Sequence, residues 1–215
     1  MRFRDNRVGF YMNQGYQGCT IMRPQLRHTA DIAVVEGWRE VVERKSLFCD
    51  GVITTEPNVL LAVTFADCPS VAIIDPEHGV MALLHAGWRG IAAGIIENAI
   101  DKMVELGAVP EAMMVKIGPS IQDCCYEMDA DDATKVDGLS HIGKVDVNLQ
   151  NIITVRLKVK GVPLSTIYQH AFCTSCTEHP SGVGHRFYSY RRDELVPPHT
   201  QIFTAVMNLT TKDDK

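Results

Sequence analysis

Two imidazoles and a thiol carry the most distinctive chemistry in this sequence. Cys68 follows a short apolar run at residues 60–64, His85 follows another at 80–84, and His28 immediately precedes a third at 29–35. Histidine nitrogen and cysteine sulfur are favoured ligands of zinc. A site with three protein ligands leaves the fourth position for water, the catalytic rather than the structural arrangement. Water held there loses a proton near neutral pH and can attack an electrophilic carbon. The same residues have a plainer reading. A cysteine in apolar surroundings is commonly a small buried hydrophobe, and an isolated histidine is commonly a satisfied core or surface group. A metal-free enzyme with Cys68 as nucleophile and His85 as base is a further option. Asp67 beside Cys68 is a turn residue, an orienting partner for a ligand histidine or a proton carrier. Asp50-Gly51 reads as a turn first and a site carboxylate second.

A second candidate is anionic in its target. His85-Ala86-Gly87-Trp88-Arg89-Gly90 lies between an apolar run and a helical pattern. Gly87 and Gly90 let a backbone turn tightly and approach a ligand, the following helix N-terminus suits an anion, and Arg89 can add a bidentate contact. Trp88 is a stacking or a packing residue. Gly118-Pro119-Ser120 borders the same pocket or is only a turn. In Tyr188-Ser189-Tyr190-Arg191-Arg192-Asp193, Arg191 is a weaker phosphate candidate, and internal pairing is the default for these charges. Cys173 and Cys176 form a CxxC, alone a sign of redox chemistry or of half a zinc site. No second CxxC completes it, and Cys124-Cys125 reads as buried or incidental.

The elements that must position these groups follow from periodicity. Short apolar runs at 60–64, 71–74, 80–84 and 113–117 read as strands, as do residues 29–35. The Asp75-Pro76-Glu77-His78-Gly79 turn makes a hairpin of the 71–74 and 80–84 runs, which brings Cys68 and His85 to one sheet edge. Apolar residues at Ile91, Ile95, Ile96, Ala99, Met103 and Leu106 give a helix closed by Gly107, and residues 148–160 a second closed by Gly161. The first 25 residues and 174–184 read as loops. Strands mixed with two or three helices define a mixed-sheet α/β or α+β fold.

The bulk numbers narrow the function. The 215 residues suffice for one large domain or two small ones. A net charge of −5 offers no basic face for nucleic acid. No apolar run is long enough to span a bilayer, and the first residues lack the apolar core of a signal peptide. Seven cysteines fit free thiols, ligands or nucleophiles in a reducing cytoplasm better than disulfide staples.

Ala66-Asp67-Cys68-Pro69, the His85-Ala86-Gly87-Trp88-Arg89-Gly90 run, Ile117-Gly118-Pro119-Ser120-Ile121, Cys125-Tyr126-Glu127 and Tyr188-Ser189-Tyr190-Arg191-Arg192-Asp193 occur in one order. By them the chain resembles the laccase-domain family, named for multicopper polyphenol oxidoreductases and now described as purine nucleoside phosphorylases. Asp50-Gly51 and His28-Thr29-Ala30-Asp31 are similar to its motifs too, and the likeness covers residues 25–195. The resemblance implies a layered α/β/β/α sandwich with mixed sheets and one zinc per chain on His28, Cys68 and His85. It implies phosphorolysis of adenosine, inosine, guanosine and methylthioadenosine, and hydrolytic deamination of adenosine. Cys68, His85 and Asp67 would be catalytic, and Arg89, Gly87, Gly90 and Arg191 would bind substrate or phosphate.

The expected partners are a purine nucleoside and phosphate, in a monomer or weak homo-oligomer. The older name implies copper and phenol oxidation, but such enzymes need many histidines, often paired as His-x-His, and none of the eight here is so paired. A non-catalytic zinc-containing binding protein is the remaining alternative. The family's amino-terminal His-Gly-Phe-Ser-type motif is not recognisable ahead of His28. One domain over residues 1–215 with a shortened amino-terminal segment is therefore expected. Leu26 stands where the family commonly has Gln, with Gln25 adjacent, and the Thr-Gly-Arg pattern is missing near Thr200-Gln201-Ile202.

Overall fold

The computed structural model describes residues 20–35, 47–193 and 199–207. Its elements run β1 (Thr20–Met22), β2 (Ile32–Val35), β3 (Gly51–Thr54), β4 (Val59–Phe65), β5 (Ser70–Asp75), β6 (Val80–His85), α1 (Trp88–Ala92), α2 (Ile95–Glu105), β7 (Met114–Ile117), β8 (Glu127–Asp129), α3 (Ala130–Asp137), β9 (Lys144–Asp146), α4 (Leu149–Val159), β10 (Ile167–Gln169), α5 (Tyr190–Asp193) and β11 (Gln201–Val206). They build a mixed α/β sandwich. A six-stranded sheet has the order β10-β7-β5-β6-β3-β2, a three-stranded sheet β1-β4-β11, and β8 pairs with β9.

The apolar run of β6 is explained by burial on both faces, which removes the alternation of a half-exposed strand. On one face Ala82 and Leu84, with Ile53 of β3, meet α2 and α4 through Ile96, Met103 and Ile153. On the other, Met81 and Leu83 join Val52 against Leu61 and Val63 of the three-stranded sheet. Helices, six-stranded sheet and three-stranded sheet are thus three successive layers. The resemblance implied four layers; the described residues show these three. No helix among the described residues is long and apolar enough to cross a membrane.

The β5–β6 hairpin forms as expected, in the register Ser70↔His85 to Asp75↔Val80. The 91–106 helix does not form as one piece. Gly94 takes φ +86, a left-handed conformation that interrupts the helix, so five-residue α1 precedes α2. The apolar spacing runs across the break and so conceals it. Arg156 of α4 holds the end of α1 by donating from Nη1 to the Ile91 carbonyl at 2.8 Å, and it pairs with Glu97. The helix over 148–160 forms as α4, started by Asn148, whose Oδ1 accepts the Asn151 N–H. Part of the expected amino-terminal loop is β1, which pairs in parallel with β4; residues 1–19 lie outside the description.

The hairpin turn rests on Asp75, whose side chain is wholly buried. Its carboxylate accepts the N–H groups of Glu77, His78 and Val109, and lies 2.7 Å from His78 Nδ1. Burial alone would raise its pKa; the bonds from Val109, His78 and Glu77 outweigh burial and lower it below the ordinary 3.8. A depressed carboxyl stabilises the fold above its unfolded pKa and loses that contribution as pH falls through the folded value. Asp75→Ala should therefore cost about 1–3 kcal/mol in urea unfolding at neutral pH. The gap between variant and parent should close as the pH falls below 3.8.

Candidate metal centre

Strand direction assembles the site. β2 and β3 run parallel, β6 antiparallel to β3, and β5 antiparallel to β6. The starts of β2, β3 and β5 therefore meet the end of β6 at one end of the sheet. His28 precedes β2, Asp50 precedes β3, Cys68 precedes β5, and His85 closes β6. Cys68 lies in the link from β4 to β5, where the chain crosses from one sheet to the other.

The three expected ligands converge: their ligand atoms all lie within 4.8 Å of one another, and the two imidazoles meet edge to face with centroids 4.9 Å apart. The cradle is sized for this trio. A Cβ built on Gly87 would sit 3.1 Å from Cys68 Sγ, 3.3 Å from His28 Cδ2 and 3.5 Å from His85 Cε1. A Cβ on Gly90 would meet the Thr29 carbonyl oxygen at 2.7 Å. The physical reason for these glycines is thus the space left by a missing side chain. Gly87 has φ −65, which any residue adopts.

Asp50, read from sequence as a turn first, is the carboxylate of the site. It is fully buried. Oδ1 accepts the His28 N–H at 2.9 Å and lies 2.9 Å from His85 Nδ1. Oδ2 accepts the N–H of Arg27 at 3.0 Å and of Thr29 at 2.9 Å, and the Thr29 hydroxyl at 3.1 Å. This grip holds His28 at φ +59, a strained conformation for a residue with a side chain. It also commits Nδ1 of His85 to Asp50 and leaves Nε2 for a ligand. Burial opposes ionisation of Asp50, but His85 and the three N–H groups hold its pKa well below the carboxylate range. Burial also opposes the charge on His85, which Asp50 and Cys68 nevertheless raise to about 9. Burial would push the Cys68 thiol up; His28 and His85 bring it down to about 7. Two imidazoles, a readily ionised thiol and an orienting carboxylate form a donor set that fits a divalent metal.

Asp67 has a different environment. Its Oδ1 accepts the Thr174 hydroxyl at 2.6 Å, and Oδ2 accepts the Ser189 hydroxyl at 3.0 Å and the Arg191 N–H at 2.7 Å. It sits at φ +83, and its carboxylate ties the loops at 174 and 189–191 to the Cys68 loop.

The centre opens into a cavity of about 700 Å³, a size that suits a small-molecule ligand. Its walls include Arg89, Arg191, Trp88, Tyr126, Tyr190 and Leu26. The Arg89 guanidinium covers the Trp88 ring at 4.3 Å. Arg191 lies 5.2 Å from the Tyr126 ring and donates to the Glu127 carbonyl. Burial, then the charge of Cys68, pushes the Tyr126 hydroxyl up to about 12. The expected anion site at a helix N-terminus changes character, since α1 has five residues and a correspondingly weak dipole. Ile121, just past the Gly118-Pro119-Ser120 turn, does line the cavity. From sequence, Tyr126 has no separate role and Asp50 ranks as a turn residue ahead of a site carboxylate. Tyr126 lay inside a quoted motif, and Asp50 stood one residue ahead of a buried strand.

The expectation for the remaining cysteines needs correction. Cys124 is exposed and Cys125 half-buried. With Cys173 and Cys176 their sulfurs lie within 4.8 Å of one another. The partner of the CxxC is an adjacent pair, which a search for a second CxxC passes over. Arg192 is committed internally, to Asp193 and to the carbonyls of Thr174 and Ser175.

Fold and site together define a mixed-sheet α/β protein with a two-histidine, one-cysteine centre at a sheet end. Residues 2–199 match the family described as multi-copper polyphenol oxidoreductase laccase, and the chain belongs to that family. It is 35% identical over 159 residues to the purine nucleoside phosphorylase YlmD of Geobacillus stearothermophilus, an alignment covering 67% of this chain and 55% of that protein. It is 27% identical over 209 residues to adenosine deaminase RL5 from an unknown prokaryotic organism, covering 89% and 77%. The crystal structure of the Geobacillus YlmD superposes with a TM-score of 0.81 at 28% identity, over 94% of this chain and 79% of that one.

If Asp50 orients His85, Asp50→Asn should weaken zinc binding by roughly 10–100-fold, measured by competition with a chromogenic chelator. Unchanged affinity would remove Asp50 from the site.

Proposed function

We propose that this chain is a zinc-dependent purine nucleoside enzyme. It would catalyse phosphorolysis of adenosine, inosine, guanosine and methylthioadenosine, and hydrolytic deamination of adenosine. The observation that carries the reading is a three-ligand donor set opening onto a cavity with aromatic and cationic walls, in a chain whose relatives bear both activity names. His28, Cys68 and His85 would hold the zinc. When bound, it supplies Lewis acidity at an open position.

In phosphorolysis a phosphate oxygen bonds to the sugar carbon as the bond to the purine nitrogen breaks. The base leaves with the electron pair, and positive charge develops on the sugar. Arg89 and Arg191 would bind the phosphate, with Gly87 and Gly90 letting the start of α1 pack against the ligand side chains and the Thr29 carbonyl. In deamination a water oxygen adds to the purine carbon bearing the amino group, and ammonia departs. Tyr126, whose pKa near 12 keeps its hydroxyl protonated, is a donor for substrate. Asp67 acts here as a positioning residue, because three donors already occupy its oxygens. Leu26 presents an apolar surface to the cavity. The family description raises copper oxidation, and two histidines with a cysteine would serve copper as well as zinc; the nucleoside names of the relatives favour the zinc reading.

A metal-free cysteine hydrolase is the second reading, because Cys68 titrates near 7 between two imidazoles. Rapid alkylation of Cys68 in protein shown to lack zinc would favour it.

Incubation of zinc-loaded protein with adenosine and phosphate should yield adenine and inosine, detected by chromatography, with Cys68→Ala at least ~100-fold slower. Turnover no greater than in Cys68→Ala would end the assignment. Arg89→Ala should raise the KM for phosphate roughly tenfold or more while leaving deamination within about twofold, as expected when a single charged contact of ~1.5–3 kcal/mol is lost. Equal loss of both reactions would contradict a phosphate role for Arg89.

A further inference from the structure

We infer that Cys124, Cys125, Cys173 and Cys176 form a second, closed metal site that binds one zinc ion through four thiolates. This inference concerns a separate cluster and does not rest on the proposed activity.

Topology makes the juxtaposition. β7 and β10 are parallel neighbours, with Ile117 opposite Gln169, so the loops that follow them leave the sheet side by side. Their pairing continues past the strands in the bridge Ser120↔Cys173 and the bond from Thr174 N–H to the Ser120 carbonyl. One loop delivers Cys124 and Cys125, the other Cys173 and Cys176. All four are free thiols, and their sulfurs lie within 4.8 Å of one another. Cys124 Sγ and Cys176 Sγ are 3.7 Å apart. A tetrahedral zinc with bonds of about 2.3 Å separates its sulfurs by about 3.8 Å.

The loop around Cys173 is preshaped for a sulfur anion. The Gln122 N–H donates to Cys173 Sγ at 3.4 Å. The Thr177 N–H closes the turn on the Cys173 carbonyl at 3.1 Å. Backbone N–H groups directed at a ligand sulfur orient it and offset part of its charge, as supporting hydrogen bonds do around metal ligands generally. Four thiols give up four protons when they bind the ion, and the resulting cluster carries two negative charges. Arg192 places its guanidinium on the carbonyls of Thr174 and Ser175, inside the CxxC turn. Four sulfur ligands and no oxygen or nitrogen select zinc over harder cations, and four protein ligands leave no position for substrate.

The position gives the site its work. Cys125 adjoins Tyr126, and Thr174, within the CxxC, donates to Asp67. The zinc would therefore fasten the loop that supplies Ile121 and Tyr126 to the cavity wall to the loop whose Thr174 holds Asp67. Gln150 holds the same loops independently, donating to the Gly118 carbonyl, the Ser120 hydroxyl and the His170 carbonyl. The loops thus keep an anchor when the thiols are replaced.

The test is metal content by elemental mass spectrometry on full-length protein prepared under reducing conditions with zinc. Parent protein should hold zinc at both centres. Cys124→Ser/Cys176→Ser and, separately, His28→Ala/Cys68→Ser should each lose one equivalent. After exchange with cobalt(II), the His28→Ala/Cys68→Ser variant should show the intense sulfur-to-cobalt charge transfer of a four-thiolate site. That second variant leaves the cluster intact, so it decides the matter even if Cys124→Ser/Cys176→Ser does not fold. Zinc absent from it, iron in place of zinc, or a disulfide among the four cysteines in reduced protein would overturn the inference. Loss of activity with this zinc retained would count against the nucleoside reading alone.

Discussion

One buried carboxylate organises the candidate metal centre. Asp50 has no contact with solvent, and five groups converge on it: three backbone N–H groups, the Thr29 hydroxyl and the His85 ring. Burying an ionised carboxylate is costly unless every lone pair finds a donor, and here the donors come from two strand ends that carry the candidate metal ligands. Satisfying the charge therefore also places His28 in its strained turn and turns Nε2 of His85 outward. Breaking a buried pair of this kind commonly costs about 3–5 kcal/mol, so the ligand geometry and the stability of that sheet end depend on the same bonds.

The surrounding architecture amplifies this constraint. Because β6 is antiparallel to both its neighbours, a residue at its end meets residues at their starts, and a single register places His85 beside both Asp50 and Ser70. The loops after β7 and β10 emerge at the same end, and the first supplies Ile121 and Tyr126 to the cavity wall. Asp67 ties the second loop and the 189–191 segment back through Thr174, Ser189 and Arg191. The cavity is thus enclosed by chain segments far apart in sequence, joined through two buried carboxylates with different tasks: Asp50 serves the ligands, Asp67 the loops.

How much of this was legible depended on whether the signal was local. The hairpin was readable because Asp75-Pro76 and Gly79 punctuate two apolar runs, and the register it imposed brought Cys68 toward His85. The break at Gly94 was hidden, since the apolar stripe continues across it and only a positive φ reveals it. The short strands β8, β9 and β10 have three residues each and too little periodicity to read. Asp50 looked like a turn because its meaning lies in donors some twenty and thirty-five residues away. Of the two reasons the sequence offers for Gly87 and Gly90, tight turning and close approach, the second agrees with the crowding around them, which is invisible in one dimension. The adjacent cysteines at 124 and 125 gained significance only when two parallel strands brought a CxxC alongside.

The central claim is that His28, Cys68 and His85 hold one zinc ion in the lining of the cavity. Anomalous diffraction from crystals grown with zinc, recorded on either side of the zinc absorption edge, tests it most directly. The account predicts a peak within coordination distance, about 2.0–2.3 Å, of Cys68 Sγ and both imidazoles, with the Asp50 carboxylate on Nδ1 of His85 and no direct bond to the metal. No peak among these three side chains, or one that persists undiminished below the zinc edge, would contradict it.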